Sequence, residues 1–163
     1  MFSPTLSLLL TAALALAIPT PHLAARQNTT NIVLHVTDFT AFMADPTIEG
    51  TQSNLSFRIT DPRPDFYGAA DCVVPPTYFN LYAISALFDY CGPSGSEFSY
   101  RFFETGLQVR RSWRIDSNTT LTGSSIQQTA WTEGSNATKL PNGRVFARKS
   151  EWLFPLGKLQ TGS

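Results

Sequence analysis

SEFSYRFFETGLQVRRSWRI, residues 96–115, alternates large apolar side chains with polar and basic ones on both sides of Glu104-Thr105-Gly106. A period of two with a turn between the halves describes a β-hairpin. Phe98, Tyr100 and Phe102 then share one face, opposite Ser99, Arg101 and Phe103. In the second half Leu107, Val109, Trp113 and Ile115 line one face while Gln108, Arg110, Ser112 and Arg114 line the other. Arg101, Arg110 and Arg114 therefore point outward and form a candidate binding face for an acidic partner, or an ordinary solvated face. Arg111 breaks the pattern, because it falls in register with the apolar set. An unpaired buried guanidinium is costly, so Arg111 must snorkel, pair with a carboxylate, or stand with Trp113 at a cavity or rim.

Strands with the same period extend outward from this hairpin. NIVLHVTDF (31–39) sets Ile32, Leu34 and Val36 against Val33, His35 and Thr37, and SNLSFRIT (53–60) sets Leu55, Phe57 and Ile59 against Asn54, Ser56, Arg58 and Thr60. The proline-rich DPRPDFYG (61–68) ends that strand, and a short strand over Ala69 to Val74 carries Cys72. PPTYFNLYAISALFDY suits a buried strand or one short helix, and we read it as loop followed by strand. TTLTGSSIQQTAW (119–131) is strand-compatible, TEGSNATKLPNG (132–143) reads as a surface loop, and VFARKSEWLFPL is the last strand, with Phe146, Trp152 and Phe154 on one side and Val145, Ala147 and Leu153 on the other. About seven or eight short strands and no helix of consequence give an all-β chain, either a β-barrel or a β-sandwich.

The compartment is read from other signals. SLLLTAALALAI (7–18) has the length of a signal-peptide core and is too short to span a bilayer. We assign residues 1–17 to a signal peptide, 18–30 to a flexible N-terminal segment, 31–157 to a single domain and 158–163 to a flexible C-terminal tail. Four Asn-x-Ser/Thr sequons, at Asn28, Asn54, Asn118 and Asn136, fit a secreted, extracellular glycoprotein. Cys72 and Cys91 are the only cysteines; one intrachain disulfide is the simplest use of the pair in an oxidising compartment, and an intermolecular bridge is the alternative.

Twelve acidic residues balance twelve basic ones, which argues against nucleic acid and anionic membrane as partners. The zinc, P-loop and dinucleotide patterns are absent, so no metal or cofactor is expected. A Ser-His-acid enzyme would have to use His35, with no Gly-x-Ser-x-Gly elbow, and the acids Asp38, Asp61, Asp65, Asp71, Asp89 and Glu104 do not single out a glycosidase pair.

VTDFTA (36–41), NLSFRITDPRPD (54–65) leading to Cys72, a second cysteine about twenty residues on, and LQVRRSWRI (107–115) together resemble the fungal small secreted proteins related to the Alternaria major allergen. The resemblance implies a compact antiparallel β-barrel, a fungal origin, the Cys72–Cys91 disulfide, and a non-catalytic role in interaction with a host or the surroundings. Members often carry a second cysteine pair late in the chain, where this sequence has Trp131 and the Asn136 sequon. The leading expectation is a monomer or homodimer that binds a host or other extracellular protein through loops and the basic strand face. The alternatives are a barrel carrying a small apolar ligand lined by Phe98, Tyr100, Phe102 and Trp113, and a small hydrolase acting on cell-wall glycans.

Overall fold

A computed structural model of the chain describes residues 32–93, 96–128, 137–148, 150–157 and 159–162. The leader, the segment after it, Asn28, Trp131 and Asn136 lie outside the described residues. The elements run β1 (Val33–Ala44), β2 (Ser53–Asp61), a 3-10 turn at Pro64–Phe66, β3 (Gly68–Thr77), α1 (Leu81–Ile84), β4 (Asp89–Tyr90), β5 (Phe98–Phe103), β6 (Gly106–Arg114), β7 (Thr120–Gln128), β8 (Ala137–Leu140), β9 (Gly143–Arg148), β10 (Trp152–Pro155) and β11 (Leu159–Gly162).

The strands form two antiparallel sheets. The first has the order β3-β2-β1-β9-β8 with β10 also on β1, and the second has the order β11-β7-β6-β5-β4. Among the described residues no ladder joins the two sheets. The all-β expectation holds, while the choice between a closed barrel and a sandwich is not decided by these ladders.

β1 organises the first sheet. Its buried residues are Leu34 and Val36 before Asp38 and Phe39 and Ala41 after it, so the inward phase slips by one residue. Asp38 sits at φ 55°, where the pairing with β2 shifts register, and so acts as a β-bulge. The other edge of β1 is divided at the same place: β10 pairs with Val33–Val36 and β9 with Phe39–Ala44. The segment read as one last strand is therefore two strands with a break after Arg148, although its inward face, Phe146, Trp152 and Phe154, is as expected.

The hairpin of β5 and β6 closes with a two-residue turn, since Phe103 pairs with Gly106. A Cβ at Gly106 would run into the backbone carbonyl of Gln127, so the close approach of β7 requires glycine there. Phe98, Tyr100, Phe102, Leu107, Val109 and Trp113 are buried as the alternation demands. Ile115 is not: it lies past the end of β6 and is 40 % exposed.

Further expectations are corrected. Between the cysteines the chain makes α1, capped by the Asn80 side chain accepting from the Tyr82 amide at 2.8 Å, and the strand that follows has only two residues. β3 runs on to Thr77 through Pro75 and Pro76, which it tolerates because it is an edge strand and proline there forfeits no ladder bond. Part of the expected loop at 132–143 is β8, and the expected tail at 158–163 contributes β11, which adds an edge to β7.

The sheets share one core, in which aromatic rings meet across them. Phe39 of β1 lies 5.8 Å from Phe102 of β5, Phe57 of β2 lies 5.2 Å from Tyr100 of β5, and Phe102 lies 5.6 Å from Phe146 of β9. Ring pairs of this kind add to the area they bury, about 0.5–1.5 kcal/mol each. The disulfide joins Cys72 on β3 to Cys91, which follows β4, so it ties the edge of one sheet to the edge of the other. The bond is intrachain, as the simpler of the two readings had it. Replacing Cys72 and Cys91 together by Ser is expected to lower the unfolding free energy by about 3 kcal/mol, measured by urea titration of the non-reduced proteins.

Candidate functional site

The residues singled out on the hairpin separate by strand parity into two groups. On β6 the odd positions face the core and the even ones face away, so consecutive arginines, Arg110 and Arg111, have opposite fates.

Arg111 is 2 % exposed and its Nη1 pairs with a carboxylate oxygen of Asp61, which is 0 % exposed. Its Nη2 donates to Glu97 Oε2 at 3.1 Å. Asp61 is the last residue of β2, so this ion pair crosses from one sheet to the other. A second guanidinium converges on the same acid: Arg63 donates from Nη2 to Oδ2 at 2.6 Å and from Nε to Oδ1 at 3.0 Å. The cations are also sandwiched by rings. Arg63 lies 4.6 Å from the Trp113 ring centroid and 4.9 Å from that of Phe66, and Arg111 lies 4.8 Å from that of Phe98. A Cβ at Gly68 would stand 2.8 Å from Arg111 Nη2, so glycine on β3 makes room for the guanidinium.

Burial alone would raise the Asp61 carboxyl, but the hydrogen bonds from Arg63 and the charges of Arg111 and Arg63 outweigh it and hold the group below the usual carboxylate range. Of the readings open for Arg111, the structural ion pair is the one realised. Trp113, 2 % exposed, also contributes to a shallow depression with Ser96, Glu97, Ser112, Arg114 and Thr120. The depressions at Met43–Asn80, at Asp38–Val73 and at Ser96–Thr120 take none of Phe98, Tyr100 or Phe102 as lining.

The outward group is Arg101, Arg110 and Arg114, on the solvent face of the second sheet. Among the described residues none of the three has a carboxylate within ion-pair distance, whereas Arg58 pairs with Asp71, and Arg63 and Arg111 with Asp61. Arg110 donates from Nε to Ser99 Oγ at 3.0 Å. Arg110 and Arg101 also share Phe88, whose ring centroid lies 4.2 Å from the first guanidinium and 5.7 Å from the second. Arg114 stands apart, at the far end of β6 beside the turn that holds Asn118. The three do not form one cluster; Arg101 and Arg110 do, around a ring that periodicity did not mark.

The remaining candidates are dispersed. Asn118 is exposed in the turn between β6 and β7, where its amide donates to Asp116 Oδ1 at 2.8 Å. Asn54 is half-buried on the outward side of β2, paired with Phe42. His35 faces outward on β1, with Nδ1 2.6 Å from Glu151 Oε1. Of the acids weighed for a glycosidase, Asp61 is locked in the ion pair and Asp89 accepts from the Tyr100 hydroxyl at 3.2 Å. Asp38 and Asp71 border one shallow depression, with Arg58 on Asp71.

Asp61→Asn is expected to cost about 3–5 kcal/mol in urea unfolding near neutral pH, because it takes the buried counter-charge from both Arg63 and Arg111 and leaves Arg111 only the exposed Glu97. The folded-state pKa of Asp61 is lowered, so its stabilisation is complete above the unfolded value of about 3.9 and is lost as pH falls through the folded value. The gap between wild type and variant should therefore narrow on acidification below about pH 4.

No family model matches the chain, and no curated protein matches it. Two solved structures are similar to it, both of the Alternaria alternata allergen Alt a 1. One is 15 % identical, with 78 % of this chain and 88 % of that chain covered and a TM-score of 0.48. The other is 14 % identical, with 77 % and 93 % covered and a TM-score of 0.46.

Proposed function

We propose that the chain is a secreted, non-catalytic interaction module of the Alternaria-major-allergen type that docks an acidic host or extracellular protein on the outer face of its second sheet. The observation that carries this reading is the contrast between paired and unpaired arginines. Arg58, Arg63 and Arg111 have carboxylate partners, and among the described residues Arg101, Arg110 and Arg114, all on one sheet face, have none. Cations left without a carboxylate partner are available to an anionic surface and raise its rate of encounter.

The neighbours on that face suit the role. Gln108, Ser112, Thr122 and Ser124 occupy outward positions of β6 and β7 around the arginines and offer polar groups without a competing carboxylate. A disulfide that ties the sheet edges helps to keep such a face preformed, which lowers the ordering cost of binding.

Replacing Arg101, Arg110 and Arg114 together by Gln should keep the circular dichroism spectrum of the folded protein, with a modest drop in urea midpoint from the lost contacts to Phe88 and Ser99, while reducing capture of acidic extracellular proteins at least tenfold. Binding by the wild type should also weaken as salt rises. Undiminished capture by the triple variant would contradict the proposal.

A further inference from the structure

Building on the basic-face reading, we infer that the anchor of this surface is the turn Leu87–Phe88 beside Arg101 and Arg110, and that it takes an extended peptide segment in which acidic and apolar side chains alternate.

Leu87 is 92 % exposed, more than any other large apolar side chain described, yet its turn is firmly held. The buried Ser85 accepts from the Phe102 amide at 2.8 Å and donates to the Leu81 carbonyl, which fixes the turn to β5. The Phe88 amide bonds the Ser85 carbonyl at 3.1 Å. Phe88 itself has φ 68°, a region that a bulky residue rarely adopts and that persists only where the surroundings hold it. Here they are the guanidinium groups of Arg110 and Arg101 against its ring. An exposed apolar side chain on a braced turn, next to a ring that gathers two guanidinium groups without carboxylate partners, has the composition and rigidity of an interface anchor.

The register defines what lies beside it. Asp89 pairs with Tyr100, Arg101 with Gln108, and Gln108 with Ile126, and Phe88, just before β4, brings its ring to Arg101, so Phe88, Arg101, Gln108 and Ile126 follow one another across the sheet. Ile126 is 50 % exposed. At the usual strand spacing this row is roughly 14 Å long, the span of about four extended residues. Apolar contact is offered at both ends, a cation and an amide lie between, and Arg110 flanks the row through its pairing with Ser99. A segment with alternating apolar and acidic residues meets each of these in turn. A bilayer fits less well, since hydroxyl and amide groups cover the sheet between the two apolar ends.

The test uses the secreted full chain with two fluorescein-labelled octapeptides, one of glutamate alone and one of alternating leucine and glutamate, beside phosphatidylserine vesicles. The alternating peptide should bind about tenfold more tightly than octaglutamate, as expected for burying one leucine-sized contact. Leu87→Ser with Ile126→Thr, both at exposed positions, should erase that preference and leave octaglutamate binding intact. Arg101→Gln with Arg110→Gln should weaken both peptides. A preference that survives Leu87→Ser with Ile126→Thr would overturn this inference and leave the basic-face reading standing, whereas failure of the wild type to bind either peptide would overturn both. Vesicle binding that depends on Leu87 and that neither peptide displaces would make a bilayer the occupant and overturn the peptide assignment.

Discussion

The contact between Arg111 and Asp61 is the constraint around which the molecule is arranged. Each is an ionised side chain almost wholly removed from water, and each belongs to a different sheet. Taking such groups out of water costs several kcal/mol per ion, and only close pairing with further hydrogen bonds offsets it. Those bonds are supplied by Arg63 on the acid and Glu97 on the arginine, with Phe66, Trp113 and Phe98 against the cation faces. Two acids and two bases balance, so no net charge is left in the assembly. A hydrophobic pair of the same volume would hold the sheets as well but would tolerate sliding; a hydrogen-bonded ion pair does not, and that supports a role in fixing how the sheets face one another.

The placement of Arg111 follows from strand parity, and parity also decides the fate of its neighbours. A register slip of one residue would exchange Arg110 and Arg111 between core and solvent, leaving an unpaired guanidinium inside and an orphaned Asp61. The penalty against that slip makes the ion pair a register lock for β6. The same lock keeps Arg110 outward beside Arg101 and keeps Arg114 at the sheet end, so the outer face has a defined charge pattern. The disulfide acts at the other margin, where β3 and the segment after β4 would otherwise be free edges.

Much of this was legible in the alternation of residues. The inward sets of β1, β2, β5, β6 and the Phe146, Trp152 and Phe154 series follow period two, and Arg111 stood out as a charge in an apolar register. Its partner carried the same signal, because Asp61 continues the inward series Leu55, Phe57, Ile59; the proline-rich turn drew it into a loop reading instead. Opposite charges each in apolar register on separate strands are a pattern that points to a buried pair. Other features depend on geometry with no sequence period. The Asp38 bulge, which divides the outer edge of β1 between β9 and β10, and the left-handed Phe88, which gathers Arg101 and Arg110, are single-residue conformations set by tertiary packing. Short elements such as α1 and β8 fall below the length at which periodicity is informative.

The most direct test of the central claim is a double-mutant cycle in urea unfolding with Asp61→Asn, Arg111→Met and both together, near neutral pH. If the buried pair couples the sheets, the double variant will recover part of the loss, because the second change removes the charge that the first left unpaired; the coupling should be about 0.5–3 kcal/mol. Losses that simply add, with no coupling between the two positions, would contradict it.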